Sequence, residues 1–189
     1  MPTRIVIAED EPLVALALQA IVESQGYEVV GIAGTGREAL TLARDKAPDV
    51  ILMDIQMPEM DGVQATRSLM EQCPQCVVVI SGNGQARMIE SAEAAGAMDY
   101  VLKPVLPNQV KAVVDAARKR FDRFMEIRRA TGDPAEALDT WVQVKRAADV
   151  LVEKSGLAEA EAYDQLEREA ARTGDSLRTV AERVITNSN

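Results

Sequence analysis

Five short runs of β-branched and aliphatic residues dominate the first hundred residues of this chain: RIVIA from Arg4, YEVVGIA from Tyr27, VILMD from Val50, CVVVIS from Cys76 and DYVLK from Asp99. Their starts lie 23, 23, 26 and 23 residues apart. Strands that are apolar along both faces are buried on both sides, and parallel neighbours of that kind need a covering crossover of a dozen or more residues between them. The intervening segments, 13–25, 37–46, 63–72, 85–95 and 108 onward, carry the helical spacing that such a crossover requires. An α/β fold is therefore predicted for residues 1–120, an open, doubly wound (βα)5 sheet of flavodoxin-like topology.

The fifth helix is expected to outrun that domain. Val110, Val114, Ala117, Phe121 and Phe124 recur at alternating spacings of four and three, a heptad-like stripe that continues to about Arg129. It predicts a helical linker over 121–134 that pairs between protomers. The break falls at Thr131-Gly132-Asp133-Pro134, where Asp133 as N-cap, Pro134 at the first helical position and Glu136 at the third signal a restart. Three helices follow over 135–189, an all-α domain. The first buries Leu138, Trp141, Val144, Ala148 and Leu151 and stops at Gly156, and the second turns Ala162, Tyr163, Leu166 and Ala170 inward and stops at Gly174. The third starts at an Asp175 cap and buries Leu177, Val180, Ala181, Val184 and Ile185.

Composition removes several chemistries. The chain has no histidine, so it holds neither a Ser-His-Asp triad nor a histidine metal ligand, and any function runs on carboxylates, lysine, hydroxyls or surfaces. Its longest aliphatic run, 77–80, is far short of the roughly 20 residues that cross a bilayer. MPTRIVIAEDE turns acidic too soon for a signal peptide, so a cytoplasmic protein with no membrane partner is expected. Lys and Arg number 21 against 30 Asp and Glu, a net charge of −9 that argues against generic affinity for nucleic acid. Cys73 and Cys76 lack the second ligand pair of a zinc site and precede a strand rather than follow one, so they read as reduced thiols without an assigned role.

In an open parallel sheet, ligands gather beyond the carboxyl ends of the strands. Here the first predicted strand ends in Glu9-Asp10-Glu11, the third in Asp54, the fourth in Ser81 and the fifth in Lys103-Pro104. Taken singly, each reads as a solvated loop residue, a helix cap or a turn. Together at four strand ends they form a site. Clustered carboxylates repel one another unless a cation joins them, and a hard ion such as Mg²⁺ (or Mn²⁺) suits oxygen ligands. A metal on Asp10 and Asp54 would also hold a phosphoryl group, with Lys103 adding positive charge and Ser81 a hydroxyl donor. Asp54 would then be the nucleophile.

IVIAEDE, ILMDIQMPEMDG, VVVISGNG and DYVLKP resemble the signature blocks of response-regulator receiver domains. That resemblance implies that Asp54 accepts phosphate from a sensor histidine kinase, that Asp10 binds Mg²⁺ directly, that Glu9 contributes indirectly to the acidic pocket and that the Gln56 backbone carbonyl completes the metal site. It further implies that Ser81 turns toward the phosphate, that Tyr100 swings inward with it, that Lys103 pairs with the phosphoryl group and that Gln56 and Asn83 tune dephosphorylation. Val105 departs from the phenylalanine common in that position. No catalysis beyond self-phosphorylation and slow autodephosphorylation is expected, so the chain is not read as an enzyme.

The segment 142–185, with KRAADVLVEKSGLAEAEAY, Leu166, Ala170 and LRTVAERVI, is similar to the ANTAR domain, an RNA-binding three-helix output of transcription antitermination regulators. A structured leader RNA is the implied partner, with Lys145, Arg146, Arg168, Arg172, Arg178 and Arg183 as possible contacts. Where the family commonly has Ala-Lys-Gly, this chain has Ala147-Ala148-Asp149. Residues 131–189 hold seven basic side chains against twelve acidic ones, which keeps a second output open: an adaptor whose acidic tail binds or dimerises with protein rather than RNA. A homodimer through the linker and output helices is expected in either case.

Overall fold

The computed structural model describes residues 1–82 and 86–188. The chain divides into two compact units, Met1–Met125 and Glu126–Asn189. The first alternates β1 (Arg4–Ala8), α1 (Pro12–Ser24), β2 (Glu28–Ala33), α2 (Gly36–Lys46), β3 (Val50–Asp54), α3 (Gly62–Gln72), β4 (Val77–Ser81), α4 (Ala86–Ala94) and β5 (Asp99–Leu102), and α5 (Pro107–Thr131) carries the chain across the division. All strand pairs are parallel, in the order β2-β1-β3-β4-β5, the doubly wound topology expected from the spacing.

Each strand's alternating side chains serve two cores. Val6, Ala8, Ile51, Met53, Val77 and Val79 face one layer, packed with Ala39, Ala43, Ala65 and Leu69 of α2 and α3. Leu52, Val78 and Ile80 face the other, where α5 sets Val110 and Val114 against them. This explains the lack of polar interruptions in β3 and β4, every residue of which is buried. A fully buried Val, Leu or Ile contributes about 1.5–3 kcal/mol.

The α5 packing changes the meaning of the heptad-like stripe. Val110, Val114 and Ala117 are buried within the first unit of their own chain, so the first half of the stripe is consumed there rather than left as a seam for a partner. Phe124 is also fully buried, with its ring stacked on Phe121 at 6.1 Å between centroids. Cys76 lies just before β4 in full burial, which pushes its thiol pKa up, and Cys73, half-buried, caps the C-terminus of α3.

The second unit comprises α6 (Pro134–Ser155), α7 (Glu159–Thr173) and α8 (Leu177–Thr186). Asp133 caps α6 as expected, its Oδ1 accepting from the Glu136 N–H at 2.9 Å. Gly156 and Gly174 end α6 and α7 with φ of 65° and 75°, a left-handed geometry that glycine adopts without steric cost. Trp141 and Tyr163 stack in the core, 6.0 Å apart and 8° from parallel, beside Leu138, Val144, Leu166 and Val180. Leu151, Ala170, Leu177, Val184 and Ile185 are only half-buried. One expectation is corrected: the N-cap of α8 is Ser176, whose Oγ accepts from the Thr179 N–H at 3.1 Å. Asp175 lies one residue too early for that bond and instead takes the Arg183 guanidinium at 2.5 Å.

Candidate functional site

The strand register builds the site. Ala8 pairs with Met53, so Glu9 and Asp54 emerge side by side where strand order reverses between β1 and β3. Asp54 pairs with Ile80, which puts Ser81 one residue beyond it, and Ser81 pairs with Leu102, which puts Lys103 one residue beyond that. Backbone bonds fix each end: Glu9 N–H donates to Ala33 O at 2.9 Å, Ile55 N–H to Ile80 O at 3.3 Å and Lys103 N–H to Ser81 O at 2.8 Å.

The Lys103 ammonium bridges two of the carboxylates. Its Nζ lies 2.7 Å from Glu9 Oε2 and 3.2 Å from Asp54 Oδ1. Glu9 and Asp54 are almost wholly enclosed, whereas the Lys103 side chain keeps about a quarter of its surface in water. Burial, and then the charge of Glu9, push the Asp54 carboxyl above its ordinary value, and Lys103 pulls it back only in part. Burial works against the Lys103 charge, but its hydrogen bond to Glu9 and the charges of Asp54 and Glu9 prevail and hold the ammonium pKa above the usual lysine value. One cation is thus shared by two buried anions.

Asp10 completes an acidic cluster at the rim. It is exposed, and oxygens of Glu9, Asp10 and Asp54 lie within 4.8 Å of one another, a hard oxygen donor set suited to Mg²⁺ or Mn²⁺. Gln56 is exposed just beyond β3, Ser81 is buried with its Oγ donating to Gly82 O at 3.2 Å, and Tyr100 is 42% exposed rather than turned inward. Asn83 lies outside the described residues. The Lys103–Pro104 peptide is cis.

A positioning residue escaped the sequence reading. Gly62 opens α3 directly after its N-cap, Asp61, and its N–H donates to Ile55 O at 2.9 Å. A Cβ on Gly62 would sit 2.1 Å from the Asp54 carbonyl oxygen, so only glycine lets α3 start this close to the end of β3. The available signal was the glycine immediately following a helix-capping aspartate.

A family model of the response regulator receiver domain matches residues 5–115, and one of the ANTAR domain matches residues 134–185. The transcriptional regulatory protein PdtaR of Mycobacterium tuberculosis is 34% identical over 185 residues, covering 98% of this chain and 90% of that protein. The chain is a response regulator with a receiver domain and an ANTAR domain. The receiver alone is 37% identical over 120 residues to the chemotaxis protein CheY of Thermotoga maritima, 63% of this chain and all of that protein. Among solved structures, the receiver domain of a modulated diguanylate cyclase from Desulfovibrio desulfuricans matches 65% of this chain and 98% of its own at TM-score 0.60 and 28% identity. The receiver domain of the response regulator NarL from Mycobacterium tuberculosis matches 62% and 97% at TM-score 0.58 and 33% identity. A response regulator with these two domains is a regulator rather than an enzyme. Among the described residues, no helix is long and apolar enough to cross a membrane.

The ANTAR domain treats its basic residues differently from the receiver. Arg172 is held by both oxygens of Glu169 at 2.6 and 2.9 Å, Arg178 by Glu182 at 2.9 Å and Arg183 by Asp175 at 2.5 Å. Lys145, mostly buried, reaches Asp149 at 3.8 Å, and Arg168 donates to the Asp164 carbonyl of its own helix at 3.1 Å. Arg146 is exposed. Ala148, which stands where the family commonly has lysine, is fully buried. Trp141 and Tyr163 belong to the core, so neither is presented for stacking on a base.

Proposed function

We propose that Asp54 is the phosphoacceptor of this response regulator and that a sensor histidine kinase is the donor. The carrying observation is the Asp54 carboxylate at the end of β3, 3.2 Å from the Lys103 ammonium and clustered with Glu9 and Asp10, a carboxylate set that an added cation would compensate and so free Lys103 to meet a phosphoryl oxygen. In the reaction, an Asp54 carboxylate oxygen attacks phosphorus in line, an Asp–O–P bond forms, the donor's N–P bond breaks and the imidazole leaves with the electron pair. Asp10 and Asp54, the Gln56 carbonyl and, less directly, Glu9 would hold Mg²⁺. When bound, it neutralises the carboxylates and orients the phosphoryl oxygens. Lys103 then exchanges one carboxylate for a phosphoryl oxygen, and the Ser81 hydroxyl leaves Gly82 O to donate to another. Tyr100 follows Ser81 inward, and Gln56 and Asn83 set how readily water removes the phosphoryl group.

The histidine-free composition supports a relay in which the phosphorylated histidine lies on a separate protein. Phosphorylation adds about −1.5 to −2 charges at the end of β3, which biases the Ser81 and Tyr100 positions and through them the output. The output reading is control of an RNA-binding ANTAR domain that holds a leader RNA in an antiterminating form, with the linker 121–134 and output helices pairing two protomers. Incubating the protein with Mg²⁺ and an acyl phosphate should add one phosphoryl mass to wild type and none to Asp54→Asn. Equal labelling of both would reject Asp54 as acceptor.

A second output reading rests on a specific observation. Arg172, Arg178 and Arg183 already carry carboxylate partners, which suits an adaptor that meets protein through matched charges. Crosslinking in cells separates the two: recovered RNA supports antitermination, and a protein partner without RNA supports the adaptor.

A further inference from the structure

The first backbone N–H groups of a helix have no partner within it and must find one outside. In α2 and α3 the first such donor belongs to a buried glycine directly after the cap, Gly36 after Thr35 and Gly62 after Asp61. Both donors go to the same turn. Gly36 N–H donates to Met60 O at 3.2 Å and Gly62 N–H to Ile55 O at 2.9 Å, so the two helix ends hold the chain leaving β3 from both sides. The Gly36 contact, like that of Gly62, leaves no room for a side chain. A Cβ on Gly36 would lie 2.6 Å from Met60 O and 2.9 Å from both Met60 Cγ and Ala65 Cβ, and the nearest of these is backbone that cannot swing aside.

Between the two anchors the chain is strained. Met57 is buried and Met60 packs against the same core, while Gln56, Pro58 and Glu59 are exposed. Glu59 has a φ of 64°, and Met60 N–H donates back to Pro58 O at 2.7 Å, closing a three-residue turn of the rare, strained hand. Among the described residues, the other side chain at positive φ is Ala47, which caps α2. A residue with a Cβ holds such a conformation only where its surroundings impose it. Here the surroundings are the two glycine contacts and the buried Met57, so α2 and α3 set the position of the turn against its own preference. Gln56 lies inside the held segment, between Ile55 and Met60.

We propose that Gly36 is a positioning residue for the metal site: by seating Met60 against the start of α2, it fixes the turn that presents the Gln56 carbonyl. This rests on the reading above that the Gln56 carbonyl is a metal ligand, and it extends the site to a helix that supplies none of the proposed ligands. Gly36→Ala should displace Met60 O and the turn with it, while the carboxylates keep their places at the ends of β1 and β3.

Titration calorimetry of Mg²⁺ into the full chain reads the effect. Gly36→Ala should weaken binding about tenfold, the size seen when groups that orient metal ligands are lost. Ala43→Gly, in the interior of the same helix, should lower the melting temperature and keep the wild-type Mg²⁺ affinity. Undiminished affinity in Gly36→Ala would overturn the proposal and leave the metal site standing. An equal loss in Ala43→Gly would overturn it by tracing the effect to general destabilisation. No saturable Mg²⁺ binding to wild type would overturn both the proposal and the metal reading. Glu59→Gly removes the strained side chain and keeps both N–H anchors, so it should raise the melting temperature by about 3 °C at wild-type Mg²⁺ affinity. It is the background in which Gly36→Ala is measured if that variant alone does not fold. A further arm needs no variant. Coupling is reciprocal, so saturating Mg²⁺ should slow hydrogen exchange of the wild-type Gly36 amide about tenfold. Exchange at Gly36 that is indifferent to Mg²⁺ would overturn the proposal.

Discussion

The receiver pocket and the ANTAR surface are both built from carboxylates and cations, and they divide the charges in opposite ways. In the receiver, Glu9 and Asp54 share the ammonium of Lys103, and Asp10 adds a third carboxylate to their cluster. In the output domain, Arg172, Arg178 and Arg183 each have a carboxylate of their own at 2.5–2.9 Å. An unbalanced cluster is completed by an added cation or by protonation of one of its carboxylates. A balanced surface gains nothing from a cation, and any anionic ligand must first compete with a carboxylate already in place. The same net acidity therefore means a demand for metal in one region and resistance to phosphate in the other.

The most disruptive way to break this contrast is to move the end of β3. Gly62→Ala should cost about 3 kcal/mol, near the upper end for forcing extra volume into a packed site, because its Cβ meets backbone rather than a flexible side chain. Urea unfolding measures the loss, and phosphotransfer at a temperature where the variant is folded should still be impaired. Next in size, Mg²⁺ at about 100 times its dissociation constant should stabilise the receiver by roughly 2.7 kcal/mol. Asp10→Asn should lose most of that stabilisation. An equal gain in the variant would mean that the carboxylate cluster is not where the ion sits.

The third test uses pH. Burial and Glu9 raise the folded pKa of Asp54, so a folded-state preference for its protonated form is lost as pH rises through that pKa. In metal-free buffer, Asp54→Asn should therefore be more stable than wild type at neutral pH, with the gap narrowing as pH falls below the folded pKa. A gap that widened on acidification would contradict the sign. The smallest effect belongs to the output surface. Glu182→Gln should leave the melting temperature unchanged, since the pair is exposed, but free Arg178 and steepen the salt dependence of RNA binding by about one phosphate contact.

Much of the fold was legible because its signal is periodic. Apolar runs at near-constant spacing specify buried parallel strands, and the strand ends then specify where chemistry collects, which is how Glu9, Asp54, Ser81 and Lys103 could be named before any coordinates. Gly62 was not legible, since its role depends on a backbone approach to Asp54 that no side-chain pattern records. The stripe on α5 was visible but ambiguous. Helical spacing marks a buried face without saying what buries it, and Val110, Val114 and Ala117 turned out to pack on their own sheet. Asp175 was mistaken for a cap for a related reason. Asp and Ser both cap helices, and only the backbone geometry at Ser176 decides between neighbours. Two of the output domain's pairs, Glu169–Arg172 and Arg178–Glu182, stand at helical spacing and could have been read from the sequence, whereas Asp175–Arg183 depends on the turn before α8, which composition does not reveal.

One consequence follows from the place of β5 in the sheet. It is an edge strand of four residues, paired with β4, and among the described residues Lys103, directly after it, is the ammonium that meets Glu9 and Asp54. Edge elements open at lower free energy than the whole domain. An opening of β5 would withdraw Lys103 while Glu9 and Asp54 stay at the ends of interior strands, leaving their charges for an added cation to compensate.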